Sequence, residues 1–395
     1  MKKYVVLNQT HSKTALLVHG QGVFMFKNAD NTCPCIIYFY NKDNSDGLKV
    51  EFIKGGVLVN TIAENISLID KKNKTGLCDL KGAYYWFNID SQNQQLYAGI
   101  GEARIENAIY KYSFTHKYKK FLEDILEICI GTESKSVHAI RLLRDPINKT
   151  IPLLVKDTNE LTMNDVANSV FMPKANLSVM GQKLYDCISG KNFVLDDEDF
   201  PDFSKAIEYS ISTPKMWCHK TLKKKSTEFN KNKPNILETY LRITLGENNG
   251  ESPGIPYVME IWPVGHYSPI HNHSEANAII RVLHGEINVS LYPFLCAEKD
   301  GIKPFCSGDF KRGDVTWISP TLNQTHKLLN KKTSSSTCVT IQCYMYDEEN
   351  SSHYDYFDYL DLDGNVMQYE PDSDMDFVSF KNKMKDEWEN KKTLN

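Results

Sequence analysis

Long apolar runs are absent from this chain of 395 residues. No stretch approaches the roughly 18 apolar residues of a membrane-spanning helix, so a membrane protein is not expected. The apolar run nearest the start, residues 4–7, is too short for the core of a secretory leader, and a cytoplasmic protein is expected. Arginine is scarce, with six against 40 lysines, so each guanidinium is the more noticeable. Charge of one sign is lacking as well: 46 basic side chains face 50 acidic ones, a net charge of −4. A broad basic surface for nucleic acid is therefore not implied. The ten cysteines include no pair of C-x-x-C motifs, only a lone Cys33-x-Cys35. That argues against a structural zinc site, and without a leader the thiols are expected to stay reduced.

The length suits two or three domains. Residues 1–114 read as a β-sandwich. Short apolar or aromatic runs, such as 23–26, 35–40, 57–62, 83–89 and 95–100, are separated by the turn-rich NADN, NKDNSDG, KGG and DSQNQQ. Residues 115–160 read as a mixed connector, with Phe121, Ile125 and Ile128 at helical spacing. A short helical region follows from 161, with Thr162 as an N-cap, a second start at Asp202 and a break at Thr213-Pro214. Lys223, Lys224 and Lys225, with Lys231 and Lys233, read as a solvated basic loop. From 239 to about 369 the chain is again rich in strands, enough for a jelly-roll barrel of the cupin kind. The aromatic run from 354, the turn at 362–365 and residues 366–369 read as a hairpin. Its Asp361-x-Asp363-Gly364 lacks the other ligands of a calcium loop. Residues 376–395 read as a charged tail or terminal helix. The expected fold class is thus mainly β: an N-terminal sandwich, a helical region, and a C-terminal cupin domain over 161–375.

The chemistry concentrates in Gly265-His266-Tyr267-Ser268-Pro269-Ile270-His271-Asn272-His273. On a strand, His271 and His273 point to one face, where two neutral imidazoles can chelate a divalent transition metal. A third histidine, His326, follows in a strand-like stretch that a barrel can return to the same interior. His266 and His284 adjoin glycines in apparent turns and are weaker ligands. Glu275 continues the alternation and offers a rival H-x-H-x-E set suited to manganese, or to iron with another co-substrate. A turn at that point would send it outward.

The pattern Gly265-x5-His271-x-His273-x4-Ala278-x6-Gly285 resembles the first cupin motif of the thiol dioxygenases, cysteine dioxygenase in particular. The resemblance covers about residues 160–375. It implies Fe(II) held by His271, His273 and His326, the last followed by the H-x3-N tail at Asn330. Tyr240-x-Arg242 lies where the family carries a substrate-binding Tyr-x-Arg whose Arg takes a carboxylate. Thr340-x-Gln342-x-Tyr344 falls where the family carries Ser-x-His-x-Tyr. The implied reaction joins a small carboxylated thiol, such as cysteine, with O2 to give a sulfinate. Two positions depart from the pattern. Ala278 replaces a Cys that is cross-linked to the active-site Tyr in animal enzymes, which excludes only the cross-link. Gln342 replaces a His; its amide can donate a hydrogen bond to Tyr344 but cannot share a proton with the phenol, so altered or lost activity is expected. Residues 85–103 are similar to the β-sandwich module named for farnesoic acid methyltransferase-like proteins. That likeness implies a module for a protein or carbohydrate ligand, because no cofactor-binding βαβ pattern is present.

Blander readings stand beside these. Arg242 has rival partners in Glu260 and Glu247, and Tyr344 suits a core position equally well. A cupin that binds metal or ligand without turnover, and an interaction protein working through its N-terminal half, are the competing functions.

Overall fold

Alternation at period two turns one side of each strand into a sheet's buried face. Gly47–Ile53 shows it plainly, with Leu48, Val50 and Phe52 fully buried and Lys49, Glu51 and Ile53 half-buried. The structure, a computed structural model, describes residues 4–7, 13–29, 34–72, 83–131, 134, 136–246, 257–295, 303–346 and 357–394. Cys33, Glu247 and residues 354–356 of the aromatic run lie outside these. The chain divides into two units, Met1–Thr150 and Ile151–Asn395.

The first unit is built from two six-stranded antiparallel sheets. One runs Tyr4–Leu7, Val137–Leu143, Gln21–Asn28, Tyr85–Asp90, Gln95–Ile100, Ala108–Ser113. The other runs Thr14–Ala15, Ile125–Ile130, Cys35–Asn41, Gly47–Ile53, Gly56–Thr61, Ser67–Lys72. Rings from the two sheets meet between them, Phe26 on Phe52 at 5.1 Å and Phe39 on Phe87 at 5.4 Å. Gly99 makes room for Trp86, whose indole would lie 2.2 Å from any Cβ at that position.

These sheets correct two boundaries. Helical spacing over 118–130 is realised only in Lys119–Glu123, because Ile125–Ile130 pairs with Cys35–Asn41. Val137–Leu143 likewise sits between Tyr4–Leu7 and Gln21–Asn28. Cross-strand pairing by β-branched residues has overridden a local helical pattern. The residues read as a connector are therefore divided: 115–150 complete the first unit, 151–160 open the second with strand Leu154–Lys156, and the division falls at Thr150 rather than at 114.

In the second unit an eight-stranded sheet runs Phe171–Pro173, Leu154–Lys156, Val315–Ile318, Asn277–His284, Cys338–Met345, Tyr257–Trp262, Leu241–Thr244, Met375–Asp376. A three-stranded sheet, Cys306–Lys311, Glu286–Tyr292, Thr325–Leu329, packs against it through Ile287, Phe310 and Leu328 on Tyr240, Trp262 and Val282. The opposite face of the large sheet is covered by helices. Leu241, Ile243, Met259, Ile261 and Val339 pack with Phe203, Ile207, Cys218 and Phe380; Ile279 and Ile341 pack with Leu184 and Ile188 of helix Val179–Ile188. Alternate residues on the same strands, among them Arg242, Glu260, Thr340, Gln342 and Tyr344, consequently face the interior between the sheets. The fold is mainly β, and the second unit packs a large sheet against a small one.

The helix starts follow their sequence signals. Thr162 accepts from Asp165 N and Asp165 returns a bond to Thr162 N, a full capping box for Met163–Ala167. Phe203–Ser212 begins after Asp202 and ends before Pro214. The C-terminal residues are more than a charged tail: helix Phe377–Leu394 lays Phe380 and Met384, four residues apart, into the core. Gly285, at φ +70°, makes the tight turn between Asn277–His284 and Glu286–Tyr292, where a Cβ would meet the Thr337 carbonyl oxygen at 2.5 Å. Among the described residues no helix is long and apolar enough to cross a membrane.

Candidate metal centre

His271 and His326 face each other in an antiparallel bridge, the N–H of each donating to the carbonyl of the other at 3.0 and 2.9 Å. Their rings stand 4.6 Å apart, and the ring of His273 lies 4.9 Å from both. The hairpin Phe357–Leu360 with Val366–Tyr369 closes one side: Asn272 N donates to Asp358 O and Leu360 N to Ile270 O, which sets Phe357 against His271 at 5.0 Å.

Main-chain carbonyls fix the tautomers of two rings. His271 Nδ1 bonds to Pro269 O and His326 Nδ1 to Asn323 O, each at 3.1 Å. A carbonyl can only accept, so Nδ1 carries the proton and Nε2 keeps its lone pair. His273 Nε2 lies 3.2 Å from His326 Nε2. Two nitrogens each about 2.0–2.1 Å from one ion, at tetrahedral to octahedral angles, are separated by about 2.9–3.4 Å. All three ligand atoms lie within 4.8 Å of one another. Burial pushes His271 down to about 3 and His326 down to about 4. Burial, the neighbouring imidazoles and Arg242 hold His273 well below its usual value. Three neutral imidazoles that converge, two of them through nitrogens whose lone pairs are free, fit a divalent transition metal.

The carboxylate rival does not form. Ser274 and Glu275 take φ of 50° and 69°, so the chain turns after His273 and the alternation ends there. Glu275 N donates to Gln324 Oε1 at 3.0 Å, and Glu275 is not among the converging ligands. His266 is engaged elsewhere, its Nδ1 bonding to Thr239 O at 2.9 Å.

Beside the histidines, one register row crosses the interior: Arg242 opposite Glu260, Glu260 opposite Thr340, Thr340 opposite Val282. Arg242 and Glu260 are both buried, with Nη1 3.6 Å from Oε1. Burial pushes the Glu260 carboxyl up, while Arg242 and a hydrogen bond from Gln342 pull it down. Gln342 therefore serves Glu260, a different partner from the Tyr344 hydroxyl expected of it. The ring of Tyr344 lies 5.0 Å from that of His273, and burial with the Glu260 charge keeps the phenol protonated. Tyr240 stacks on Trp262 at 4.2 Å. Thr340 Oγ1 and Trp262 Nε1, both fully buried, have no hydrogen-bond partner among the described residues.

The structure thus gathers His271, His273, His326, Arg242, Thr340, Gln342 and Tyr344 into one interior, with Tyr240 stacked on Trp262. Sequence reasoning named Glu260 only as a rival partner of Arg242. A signal was present: Glu260 is a carboxylate at an inward position of the otherwise apolar Tyr257–Trp262.

No family model matches the chain. Among solved structures it is similar to the cupin domain of Schizosaccharomyces pombe Cnp3, at 12% identity and a TM-score of 0.21, covering 27% of this chain and 65% of that one. An oxalate oxidase in complex with the substrate analogue glycolate matches at 17% identity and a TM-score of 0.21, covering 27% and 50%. Galectin LEC-6 of Caenorhabditis elegans matches at 12% and 0.26, covering 36% and 94%. Likenesses this faint carry no argument, and the second unit is described by its own strand pairing.

Proposed function

We propose that the second unit is a non-haem iron thiol dioxygenase, which oxidises cysteine or a related small carboxylated thiol to its sulfinate. The observation that carries this reading is the convergence of three neutral imidazoles, with no carboxylate among them, beside a buried arginine. Iron(II) held by His271, His273 and His326 would supply the redox chemistry that lets O2 react with a thiolate. Neutral ligands leave the +2 charge uncompensated, which favours an anionic sulfur ligand. In the overall reaction both atoms of O2 bond to sulfur, and the four electrons they gain come from it, so no further reductant is needed.

The chain's own groups hold the substrate. Arg242 presents a fork of N–H donors to the carboxylate. Tyr344 donates its O–H toward negative charge growing on the oxygens, and burial keeps that proton in place. Thr340 Oγ1 offers one more hydroxyl, uncommitted among the described residues. The test is O2 uptake by Fe(II)-loaded protein with L-cysteine, 3-mercaptopropionate and cysteamine, alongside identification of the sulfinate. Uptake with a carboxylated thiol that is lost in His326→Ala supports the reading; absence of uptake despite stoichiometric iron rejects it.

A second reading has its own observation. Gln342 is committed to Glu260 and cannot relay a proton from Tyr344, which favours a barrel that binds metal and thiol without turnover.

A further inference from the structure

Lys225 belongs to a run of lysines that reads as solvated, yet it turns inward at the end of helix Trp217–Lys225, with 9% of its side chain exposed. Its ammonium lies 3.0 Å from Asp374 Oδ2, 3.5 Å from Glu228 Oε2 and 5.4 Å from the centre of the Tyr240 ring. Among the described residues each of these carboxylates has Lys225 as its one ion-pair partner. The two carboxylates serve different parts of the site. Asp374 clamps the arginine strand: its Oδ2 accepts Arg242 N at 2.8 Å, and its own N–H donates to Arg242 O at 2.8 Å. Glu228 Oε1 accepts the hydroxyl of Tyr369, on the hairpin that closes one side of the metal centre. The ring of Tyr369 lies 4.8 Å from Phe229 and 5.0 Å from Phe357, the residue set against His271.

On the surface either pair would contribute little. A nearly buried ammonium is different, because its desolvation is offset only while its anionic partners stay close. One side chain here satisfies two anions, one fixing the backbone of Arg242 and the other fixing the hairpin beside His271. Movement of either arm strips Lys225 of a partner and loosens its hold on the other. Resting on the dioxygenase reading only for what Arg242 binds, we propose that Lys225 is a positioning residue that ties the hairpin closing the metal centre to the strand carrying Arg242, so that both sides of the site are set as one unit.

Amide exchange and metal release test this without turnover. Lys225→Met keeps an unbranched stem against Tyr240 and removes the charge. In that variant of the full chain, exchange read by mass spectrometry should quicken at least about tenfold at both Leu241–Thr244 and Phe357–Leu360, less than the full effect of breaking a buried pair. It should stay unchanged at Val315–Ile318, a strand of the large sheet outside the linkage, and Lys225→Arg should retain the wild-type pattern. Quickening at one of the two strands alone, or at neither, overturns the proposal. Equal quickening at all three assigns Lys225 to general stability and overturns it as well. Tyr369→Phe removes only the hydroxyl that Glu228 holds, and tests the hairpin arm without touching Lys225. Loss of Fe(II) to a chromogenic chelator, followed anaerobically, should be about tenfold faster in Tyr369→Phe and in Lys225→Met, the low end of what outer-shell partners contribute. The double variant should release metal no faster than Lys225→Met, because both changes cut one linkage. Unchanged release in either single variant overturns the linkage, as do effects that multiply to about a hundredfold in the double variant. Exchange requires neither metal nor thiol, so its outcome stands apart from the O2 uptake that decides the dioxygenase reading.

Discussion

The carbonyl of His271 accepts the N–H of His326 and the carbonyl of His326 accepts the N–H of His271, at 2.9 and 3.0 Å. Two of the three candidate ligands are thus positioned by their own main chain, before any ion arrives. A site arranged in this way should survive loss of one imidazole as a fold and fail as a chelate. His326→Ala keeps its main-chain bonds, so far-UV circular dichroism should be unchanged. Bound metal, measured by elemental analysis after dialysis, should fall by more than the 10–100-fold cost of losing an outer-shell partner, roughly 100-fold or greater. Full retention of metal would show that the three histidines are not its ligands.

Tyr344 makes a separate prediction about rate. Its hydroxyl is placed beside His273 and kept protonated by burial and by the Glu260 charge. If it donates mainly to charge that develops during the reaction, Tyr344→Phe should lower kcat by about 100-fold and leave KM nearly unchanged. Steady-state O2 consumption over a range of thiol concentrations gives both constants. A rise in KM at constant kcat would instead make Tyr344 a ground-state binding group.

Much of this site could be read from spacing, because the relevant periods are short. Arg242 lies between Leu241 and Ile243 because period two is set by strand geometry. His271 sits instead in an isolated bridge and His273 in irregular chain, so the strand expected for that pair does not form although the two rings converge. The left-handed turn at Gly285 was legible from glycine itself. Long-range pairing was not. Nothing local in Ile125–Ile130 says that it will join Cys35–Asn41, and its helical spacing pointed the other way. Glu260 was overlooked as a site residue for a related reason: its significance lies in the neighbours across the row, Arg242 and Thr340, which come from strands far apart in sequence.

His266 gives a pH dependence outside the metal ligands. Burial lowers its pKa below the usual 6.5, and the carbonyl of Thr239 only partly offsets that. In the unfolded chain the imidazole gains a proton as pH falls through about 6.5, whereas in the folded chain it stays neutral until lower pH. The unfolded state then binds more protons, so stability falls as pH drops below about 6.5. Urea unfolding of metal-free protein at about pH 7.5 and 5.5 should show this slope, and His266→Gln should flatten it. The ligand histidines add a slope of the same sign to both proteins, so the difference between them isolates His266. Parallel profiles would remove it as a contributor.

Helix Phe377–Leu394 carries the last prediction. Phe380 is fully buried, its ring 5.9 Å from Phe203 and 5.4 Å from Trp217, and Met384 stands one turn further on against Cys218. Glu387 reaches the start of the neighbouring helix, where Oε1 accepts the N–H of Trp217 at 2.9 Å. That bond supplies from a distance the cap that Met216 has no side-chain oxygen to make. Truncating a buried Phe in a packed core costs about 3–5 kcal/mol, and losing a cap costs about 1 kcal/mol. Phe380→Ala should therefore lower the stability of the second unit several times more than Glu387→Ala, as measured by urea unfolding. Removing residues 377–394 should expose the strand Leu241–Thr244, whose Leu241 and Ile243 pack in the same cluster, and with it the backbone that carries Arg242. If that truncated chain unfolds at the same urea concentration as the full one, the helix is not part of the core and the arginine is held by the barrel alone.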